Sequence, residues 1–173
     1  MGELEDYFPF ITIKGEWKIC EEEDWDLEIF NDGYWCHDFW VGLLWQAYKV
    51  TKAAKFKRKA FELCKMIEPR KDSNKTHDLG FLFNPSFCIG YDITKDNHLK
   101  SVGLTAADSL LSRFNDKIDA ITVFGNPEKS GITAIDTMII YRYYGVYMKK
   151  VESRAIMRQL KNMLSQQCNI LLE

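Results

Sequence analysis

Apolar residues recur at intervals of three and four along most of the chain, which is the period of an amphipathic helix. This spacing predicts four helices, over residues 38–50, 56–67, 84–93 and 97–114. Pro69 is expected to stop the second helix, and Asn84 followed by Pro85 is expected to cap the start of the third. A further helix is expected to begin near Thr133.

No alternation of apolar and polar residues persists long enough to predict a β-sheet, and the first 30 residues carry a mixed pattern. The elements are interpreted as helical hairpins joined by loops, so the predicted fold class is all-α. The polar, glycine and proline residues gather in two loops, over 70–83 and 115–132. Functional groups collected in connecting loops favour a helical toroid whose loops form one face.

Length and composition indicate one globular domain, since the chain has 173 residues, of which 46% are hydrophobic and 28% are charged. The net charge of -2 argues against a nucleic-acid binder that acts through bulk electrostatics, and we expect no stripe of Lys and Arg to change this. We expect no membrane span and no signal peptide. Five widely spaced cysteines without a C-x-x-C pair favour reduced thiols and a cytoplasmic location.

Aromatic residues make up 14% of the chain, and all five tryptophans fall between Trp17 and Trp45. A bulky core is one interpretation, because large rings bury much apolar area. Sugar recognition is the other, because a flat ring stacks on the apolar face of a pyranose. The pattern alone leaves both open.

Three segments carry a resemblance to a known family. They are F-W-V-G-L-L-W-Q-A-Y at 39–48, H-D-L-G-F-L-F-N-P-S at 77–86, and A-D-S-L-L-S-R-F at 107–114 followed by I-D-T-M at 135–138. In this order they resemble the motifs of the unsaturated glucuronyl hydrolases, glycoside hydrolase family 88, over about residues 32–138. The resemblance implies the N-terminal half of an (α/α)6 barrel, about half of its twelve helices.

The resemblance also implies a reaction. A polysaccharide lyase leaves a C4=C5 double bond in the terminal uronate, which makes that ring a vinyl ether. An acid protonates C4, water adds at C5, and the resulting hemiketal opens and releases the partner sugar. The implied substrate is an unsaturated glucuronyl di- or oligosaccharide from glycosaminoglycan or a similar polysaccharide. The resemblance implies no cofactor and no metal.

The same resemblance assigns roles to four residues. Asp136 takes the role of general acid and base, and Asp78 is the second catalytic carboxylate, which orients substrate and couples to the proton on Asp136. His77 and Trp40 match positions that line the subsite of the unsaturated uronate. A free aspartate has a pKa of about 3.9, so burial or a like charge must raise that of Asp136 by roughly two units. Apart from the resemblance, the residues favour ordinary roles: Asp136 as a helix cap, Asp78 as a loop acid and His77 as a satisfied polar residue.

Two departures from the family's pattern stand out. The family has W-T-x-G-F-W before its first barrel helix, whereas here Asp38 replaces the glycine. About fifteen residues before Asp136, where an aromatic residue is expected, the chain has Ile121. That side therefore lacks the expected ring for stacking on a sugar.

The chain is expected to leave the family after Met138. The family continues N-L-P-L-L-x-W, whereas this chain has I-I-Y-R-Y-Y-G at 139–145. Back-translation with one base restored near codon 139 permits N-L-P-L-L-W and a plausible further hairpin. We therefore divide the chain into residues 1–138, the N-terminal part of the barrel, and 139–173, a non-family tail that is a frameshift product. A divergent amphipathic helix is the alternative for this tail, and either way little catalysis is expected from the chain alone.

Two other functions come from different classes. The pairs His37–Asp38 and His77–Asp78 suggest a metal-dependent phosphohydrolase, but His98 is the only other histidine, so too few ligands are at hand. A non-catalytic helical fragment that binds sugar or another protein is the second alternative. No oligomeric state follows from the sequence, and no nucleic-acid or membrane partner is expected.

Overall fold

A computed structural model describes residues 9–19, 37–73, 77–118, 120–123, 126, 131–133, 139 and 165. Five α-helices account for most of these residues: α1 (His37–Thr51), α2 (Ala54–Ile67), α3 (Leu79–Phe83), α4 (Ile89–Thr94) and α5 (Asn97–Leu111). A 3-10 helix over Glu68–Asp72 follows α2, and a π-helical segment over Asn84–Cys88 joins α3 to α4. The strands pair in two antiparallel ribbons, β1 (Pro9–Ile13) with β2 (Glu16–Ile19) and β3 (Phe114–Asn115) with β4 (Ala120–Ile121). The helical fold class is confirmed.

The predicted helix boundaries hold for α1, α2 and the start of α5. Asp96 caps α5, because its side chain accepts hydrogen bonds from the backbone N–H groups of His98, at 2.8 Å, and Leu99, at 3.4 Å. The end of α5 was predicted at residue 114, but the helix stops at Leu111, and after a short turn Phe114 and Asn115 pair with β4.

The predicted start at Asn84 is wrong. Helical backbone begins at Leu79, and Asn84 lies inside a continuous helical stretch to Thr94. Pro85 would disturb an α-helix, because it has no N–H to donate and its ring clashes with the preceding turn. The structure accommodates it in the wider π-helical segment. Pro69 likewise sits at the start of the 3-10 helix, so α2 ends there without an immediate loop.

The β1–β2 hairpin was not expected from the sequence. Its turn consists of Lys14 and Gly15, whose φ angles of 52° and 83° both lie in the left-handed region. A two-residue turn with two positive φ angles matches the right-handed twist of the strands. The signal in the sequence was this short Lys-Gly turn between a mostly apolar stretch, PFITI, and a short alternating stretch, EWKI.

One side chain joins the helices of the core. Trp45, on α1, is fully buried and meets Phe61 of α2 edge to face, with ring centroids 5.2 Å apart. Its indole Nε1 donates a hydrogen bond of 2.6 Å to the backbone carbonyl of Ser86 in the π-helical segment. The core around it is apolar, and its largest other fully buried members are Leu63, Leu79, Leu82, Phe83, Phe87, Leu99, Leu110 and Ile121. Helix α5 closes this core by packing against α3, the π-helical segment and the 3-10 helix.

We expect Gly90→Ala to destabilise the protein. A Cβ at this position would lie 2.8 Å from the Trp45 ring and 2.9 Å from Leu99 Cδ1, so the core must shift to admit it. Overpacking of this kind costs about 1–3 kcal/mol. Urea unfolding followed by circular dichroism measures the loss. Gly131→Ala is the control, because nothing lies within 4 Å of its added Cβ, and an equal effect of the two changes would contradict the packing argument.

Candidate functional site

His77 and Asp78 lie together immediately before α3. The backbone carbonyl of Asp78 accepts a hydrogen bond of 3.1 Å from Leu82 N–H, so Asp78 starts the helix as its N-terminal cap residue. Its side chain makes no capping hydrogen bond. Instead, Oδ1 of Asp78 lies 3.3 Å from Nε2 of His77, and the two side chains are 21% and 14% exposed. The carboxylate therefore orients the imidazole while keeping some access to solvent.

The first turns of α1 lie beside the segment that follows Asp78. The rings of Phe39 and Phe81 are 5.8 Å apart, and a Cβ added at Gly42 would lie 3.0 Å from the Cβ of Pro85. Trp40 is placed between these two contacts along α1, and its half-buried side chain packs against the core. Two of the three matched segments, at 39–48 and 77–86, are thus neighbours in space.

The predicted general acid, Asp136, lies in 134–138, outside the described residues. Its approach to Asp78 stays a prediction. Ile121, which stands where an aromatic residue was expected, is fully buried in the apolar core. An aliphatic side chain at this position contributes to packing, and it is not available to stack on a sugar.

Arg113, in the third matched segment, has a structural role that the sequence analysis did not assign. Its side chain is buried, and its Nε donates a hydrogen bond of 2.9 Å to the carbonyl of Thr122. The Thr122 hydroxyl donates in return to the Arg113 carbonyl at 3.2 Å. Burial lowers the pKa of Arg113 below its usual value. These bonds fasten the end of α5 to the chain after β4.

Asp38, the residue that replaces the family's glycine, is fully buried in the first turn of α1. Within the described part of the chain, neither of its carboxylate oxygens accepts a hydrogen bond. Burial raises its pKa well above the usual value, and the nearby positive charge of Arg70 offsets only part of that rise. Because it is enclosed, Asp38 cannot touch a substrate, so its effect falls on stability.

His37 is affected by the same surroundings. Burial, followed by the charge of Arg70, lowers its pKa from 6.5 to about 4. The imidazole is therefore neutral at pH 7. The sequence pairs His37–Asp38 and His77–Asp78 look alike, but only the second retains solvent access to both side chains.

A metal centre finds no support in the described residues. They contain no group of three or more His, Cys, Asp or Glu side chains arranged to hold a metal ion. No helix among them is long and apolar enough to cross a membrane.

Comparison with known proteins identifies the relatives of this chain. No protein-family model matches the sequence. An unsaturated chondroitin disaccharide hydrolase of Streptococcus pneumoniae is 31% identical over 102 residues, 57% of this chain and 26% of the relative. The corresponding enzyme of Streptococcus pyogenes serotype M1 is 31% identical over 123 residues, 69% of this chain and 30% of the relative. The chain is homologous to part of the unsaturated glucuronyl hydrolases.

Solved unsaturated glucuronyl hydrolases share its fold. The enzyme of Streptococcus agalactiae superposes with a TM-score of 0.76 at 22% identity, over 91% of this chain and 39% of that protein. The enzyme of Bacillus sp. GL1 gives a TM-score of 0.77 at 21% identity, over 93% of this chain and 42% of that protein. The fold is therefore part of the α/α toroid of the unsaturated glucuronyl hydrolases, as the motifs predicted. The sequence matches span about a quarter to a third of the curated relatives' length.

We expect Asp38→Ala to stabilise the protein at pH 7. An aspartate has an unfolded pKa of about 3.9, and the folded pKa of Asp38 is higher. Between these values the folded chain binds more protons than the unfolded chain, so the free energy of unfolding of the wild type falls as pH rises. Removing a buried polar group without hydrogen bonds should recover about 1–3 kcal/mol at pH 7. The gain should shrink as pH falls toward 4.

Urea unfolding between pH 4 and pH 8 provides the measurement, with Asp92→Ala, a change of an exposed aspartate on α4, as the control. His37 acts with the opposite sign. Because its folded pKa of about 4 lies below its unfolded 6.5, it contributes stability above pH 6.5 that is lost as pH falls toward 4. A loss of stability at pH 7 in Asp38→Ala, with Asp92→Ala unchanged, would show that Asp38 is satisfied in the fold.

Proposed function

We propose that Asp78, His77 and Trp40 belong to the unsaturated-uronate subsite of a hydrolase that acts on unsaturated glucuronyl di- or oligosaccharides. The observation that carries this proposal is the contact of 3.3 Å between His77 and Asp78, formed in the H-D-L-G-F segment beside the helix of Trp40. Both side chains are accessible enough to meet a small ligand. The surroundings of Trp40 support the proposal, since Phe39 and Gly42 on the same helix lie against the segment after Asp78.

The relatives support the class of substrate. The matched curated proteins are named for unsaturated chondroitin disaccharide and unsaturated glucuronyl substrates. The Bacillus sp. GL1 enzyme is described as responsible for the degradation of glycosaminoglycan, and a variant of the Streptococcus agalactiae enzyme was solved in complex with dGlcA-GalNAc6S. A terminal unsaturated uronate linked to a second sugar is therefore the proposed substrate.

The proposed reaction begins with proton transfer from the carboxylic acid of Asp136 to C4 of the uronate. The C4=C5 electron pair forms the new C–H bond, and the positive charge at C5 is shared with the ring oxygen. Water then adds at C5 and returns its proton to the Asp136 carboxylate, which completes the acid and base cycle. The hemiketal at C5 opens, and the linkage to the partner sugar breaks as C1 becomes a free aldehyde.

Asp78 acts in this scheme as the second carboxylate. By holding His77 it fixes the orientation of the ring, and a negative charge near Asp136 favours the protonated form of that acid. Trp40 supplies a flat apolar surface, which suits the apolar face of a pyranose. Asp38 has no place in the reaction, because it is fully enclosed.

The chain by itself is expected to show little or no turnover. A complete toroid of twelve helices needs roughly 300 residues or more at ordinary helix and loop lengths. This chain has 173 residues, and its solved relatives extend well beyond the part that it matches. In those relatives, the part of the protein beyond this match would complete the walls of the site.

A chimera tests the proposed function. Residues 1–138 of this chain, joined to the remaining part of the Streptococcus pneumoniae relative, should hydrolyse an unsaturated chondroitin disaccharide. Loss of ultraviolet absorption from the C4=C5 double bond gives the rate. Asp78→Asn and Asp136→Asn should each reduce kcat/KM at least about 100-fold, since each removes a group that moves or stabilises the proton.

Asp92→Asn serves as the matched control, because this exposed carboxylate lies on α4 away from the proposed subsite. It should leave kcat/KM within about twofold. Full activity of the Asp78→Asn chimera would remove the basis of the proposal. Normal turnover by the unmodified 173-residue chain as a monomer would contradict the expected dependence on the missing helices.

We also propose that residues 139–173 are the product of a frameshift. The sequence match with the Streptococcus pyogenes relative extends over 123 residues, which leaves room for a tail outside it. The back-translated reading frame supplies the other support. A cytoplasmic site of action is proposed as well, in keeping with the buried, reduced thiol of Cys64.

Resequencing the gene from before codon 136 to well past codon 173 tests the frameshift. We expect one inserted base near codon 139 to restore N-L-P-L-L followed by a long open reading frame. A verified DNA sequence in which no single-base change restores family sequence would establish the tail as a genuine divergent segment.

A further inference from the structure

A strongly basic segment covers residues 49–59. It contains six cationic side chains, Lys49, Lys52, Lys55, Lys57, Arg58 and Lys59, and no Asp or Glu occurs between residues 39 and 61. The whole chain carries a net charge of -2, so the rest of the molecule carries -8 against the +6 of this segment. The modest net charge conceals a local concentration of positive charge, contrary to the expectation that no basic stripe exists.

The fold gathers these side chains at one end of the α1–α2 hairpin. They occupy the last turn of α1, the two-residue connection and the first turns of α2. Glu62 lies 3.7 Å from both Arg58 and Lys59 and offsets part of their charge. By contrast, no described carboxylate forms an ion pair with the other four, Lys49, Lys52, Lys55 and Lys57.

Aromatic rings lie among the lysines. The Nζ atoms of Lys52 and Lys57 are 5.9 and 5.7 Å from the centroid of the Tyr48 ring. Lys57 Nζ is also 5.9 Å from the ring of Phe61, and Lys55 Nζ is 5.1 Å from that of Phe56. Each ring is half-buried, so each presents part of its surface beside an ammonium group. We call the surface of Tyr48, Lys52, Lys55 and Lys57 the basic surface.

This combination suits a polymer of acidic sugars. Ammonium groups attract carboxylate and sulfate groups, and the attraction is strongest where no carboxylate of the protein competes. Partly exposed aromatic rings offer a surface for the apolar face of a pyranose. A linear polysaccharide is narrow enough to contact the small basic surface without touching the rest of the protein. A membrane or a DNA duplex is a broad anionic object, which the -8 carried by the remaining residues would repel.

We propose that the basic surface is a docking site for an anionic polysaccharide, separate from the proposed hydrolytic subsite. Lys52 is twelve residues beyond Trp40, about 18 Å at a rise of 1.5 Å per residue. The surface therefore binds saturated parts of a polymer, whose unsaturated ends a lyase must generate before the hydrolytic site can use them. The choice of an acidic polysaccharide rests on the proposed function.

The test uses the full 173-residue chain and a saturated heparin oligosaccharide, which lacks the C4=C5 bond and is no substrate. Fluorescence anisotropy of the labelled oligosaccharide measures Kd at several salt concentrations. Lys52→Glu/Lys57→Glu should weaken binding at least tenfold and reduce its dependence on salt. Lys52→Gln/Lys57→Gln should weaken it by a smaller factor, with circular dichroism and urea unfolding confirming that both variants remain folded.

Lys95→Glu/Lys100→Glu is the matched control. These two lysines lie 5.3 and 5.6 Å from the ring of Tyr91, so the control makes the same change of charge beside the same type of ring. Its Kd should change less than twofold. An equal loss in both pairs would reduce the effect to net charge and overturn the proposal, as would no measurable binding by the wild type.

Two further arms separate the remaining possibilities. Duplex DNA and vesicles of anionic phospholipid should bind more weakly than the oligosaccharide, and equally tight binding of either would overturn the choice of a polysaccharide.

In the active chimera, Asp78→Asn should abolish hydrolysis and leave heparin binding intact. Lys52→Glu/Lys57→Glu should weaken heparin binding and leave hydrolysis of a disaccharide substrate intact. The proposed function and the docking site therefore fail by different measurements.

Discussion

The burial of Trp45 is the interaction on which the rest of the structure depends. Its ring packs edge to face on α2, and its N–H donates to the carbonyl of Ser86, so one side chain joins α1, α2 and the π-helical segment. Gly90 leaves the space that the indole occupies. Because α1 is rigid, fixing Trp45 also fixes Trp40 one and a half turns earlier, beside the segment that begins at Asp78. The core thus determines which motifs become neighbours.

Burial, more than sequence context, separates the two His-Asp pairs. His77 and Asp78 contact each other at the surface of a short helix and keep access to solvent. Asp38 is enclosed at the start of α1, where burial raises its pKa and no described group donates a hydrogen bond to it. A carboxylate with access to solvent can reach a ligand, whereas an enclosed one costs stability. The same dipeptide therefore has two unrelated consequences.

The distribution of charge matters more than its sum. A net charge of -2 predicts no affinity for polyanions, yet the end of the α1–α2 hairpin gathers six cations, and four of them form no ion pair with a described carboxylate. Screening limits the reach of a charge to about 8 Å at physiological salt, so a local surface acts independently of distant acidic residues. The proposed hydrolytic subsite and the proposed docking surface would serve one process at two places on the chain.

The sequence by itself determined the helical class, the extents of α1 and α2, and the motifs shared with the unsaturated glucuronyl hydrolases. These features depend on residues close together in the chain, where periodicity is directly visible. Only the tertiary structure decided that Asn84 lies within a helix, that Asp38 is enclosed, and that Arg113 fastens α5 to the chain after β4. Burial and such contacts depend on residues far apart in sequence, so no local pattern contains them.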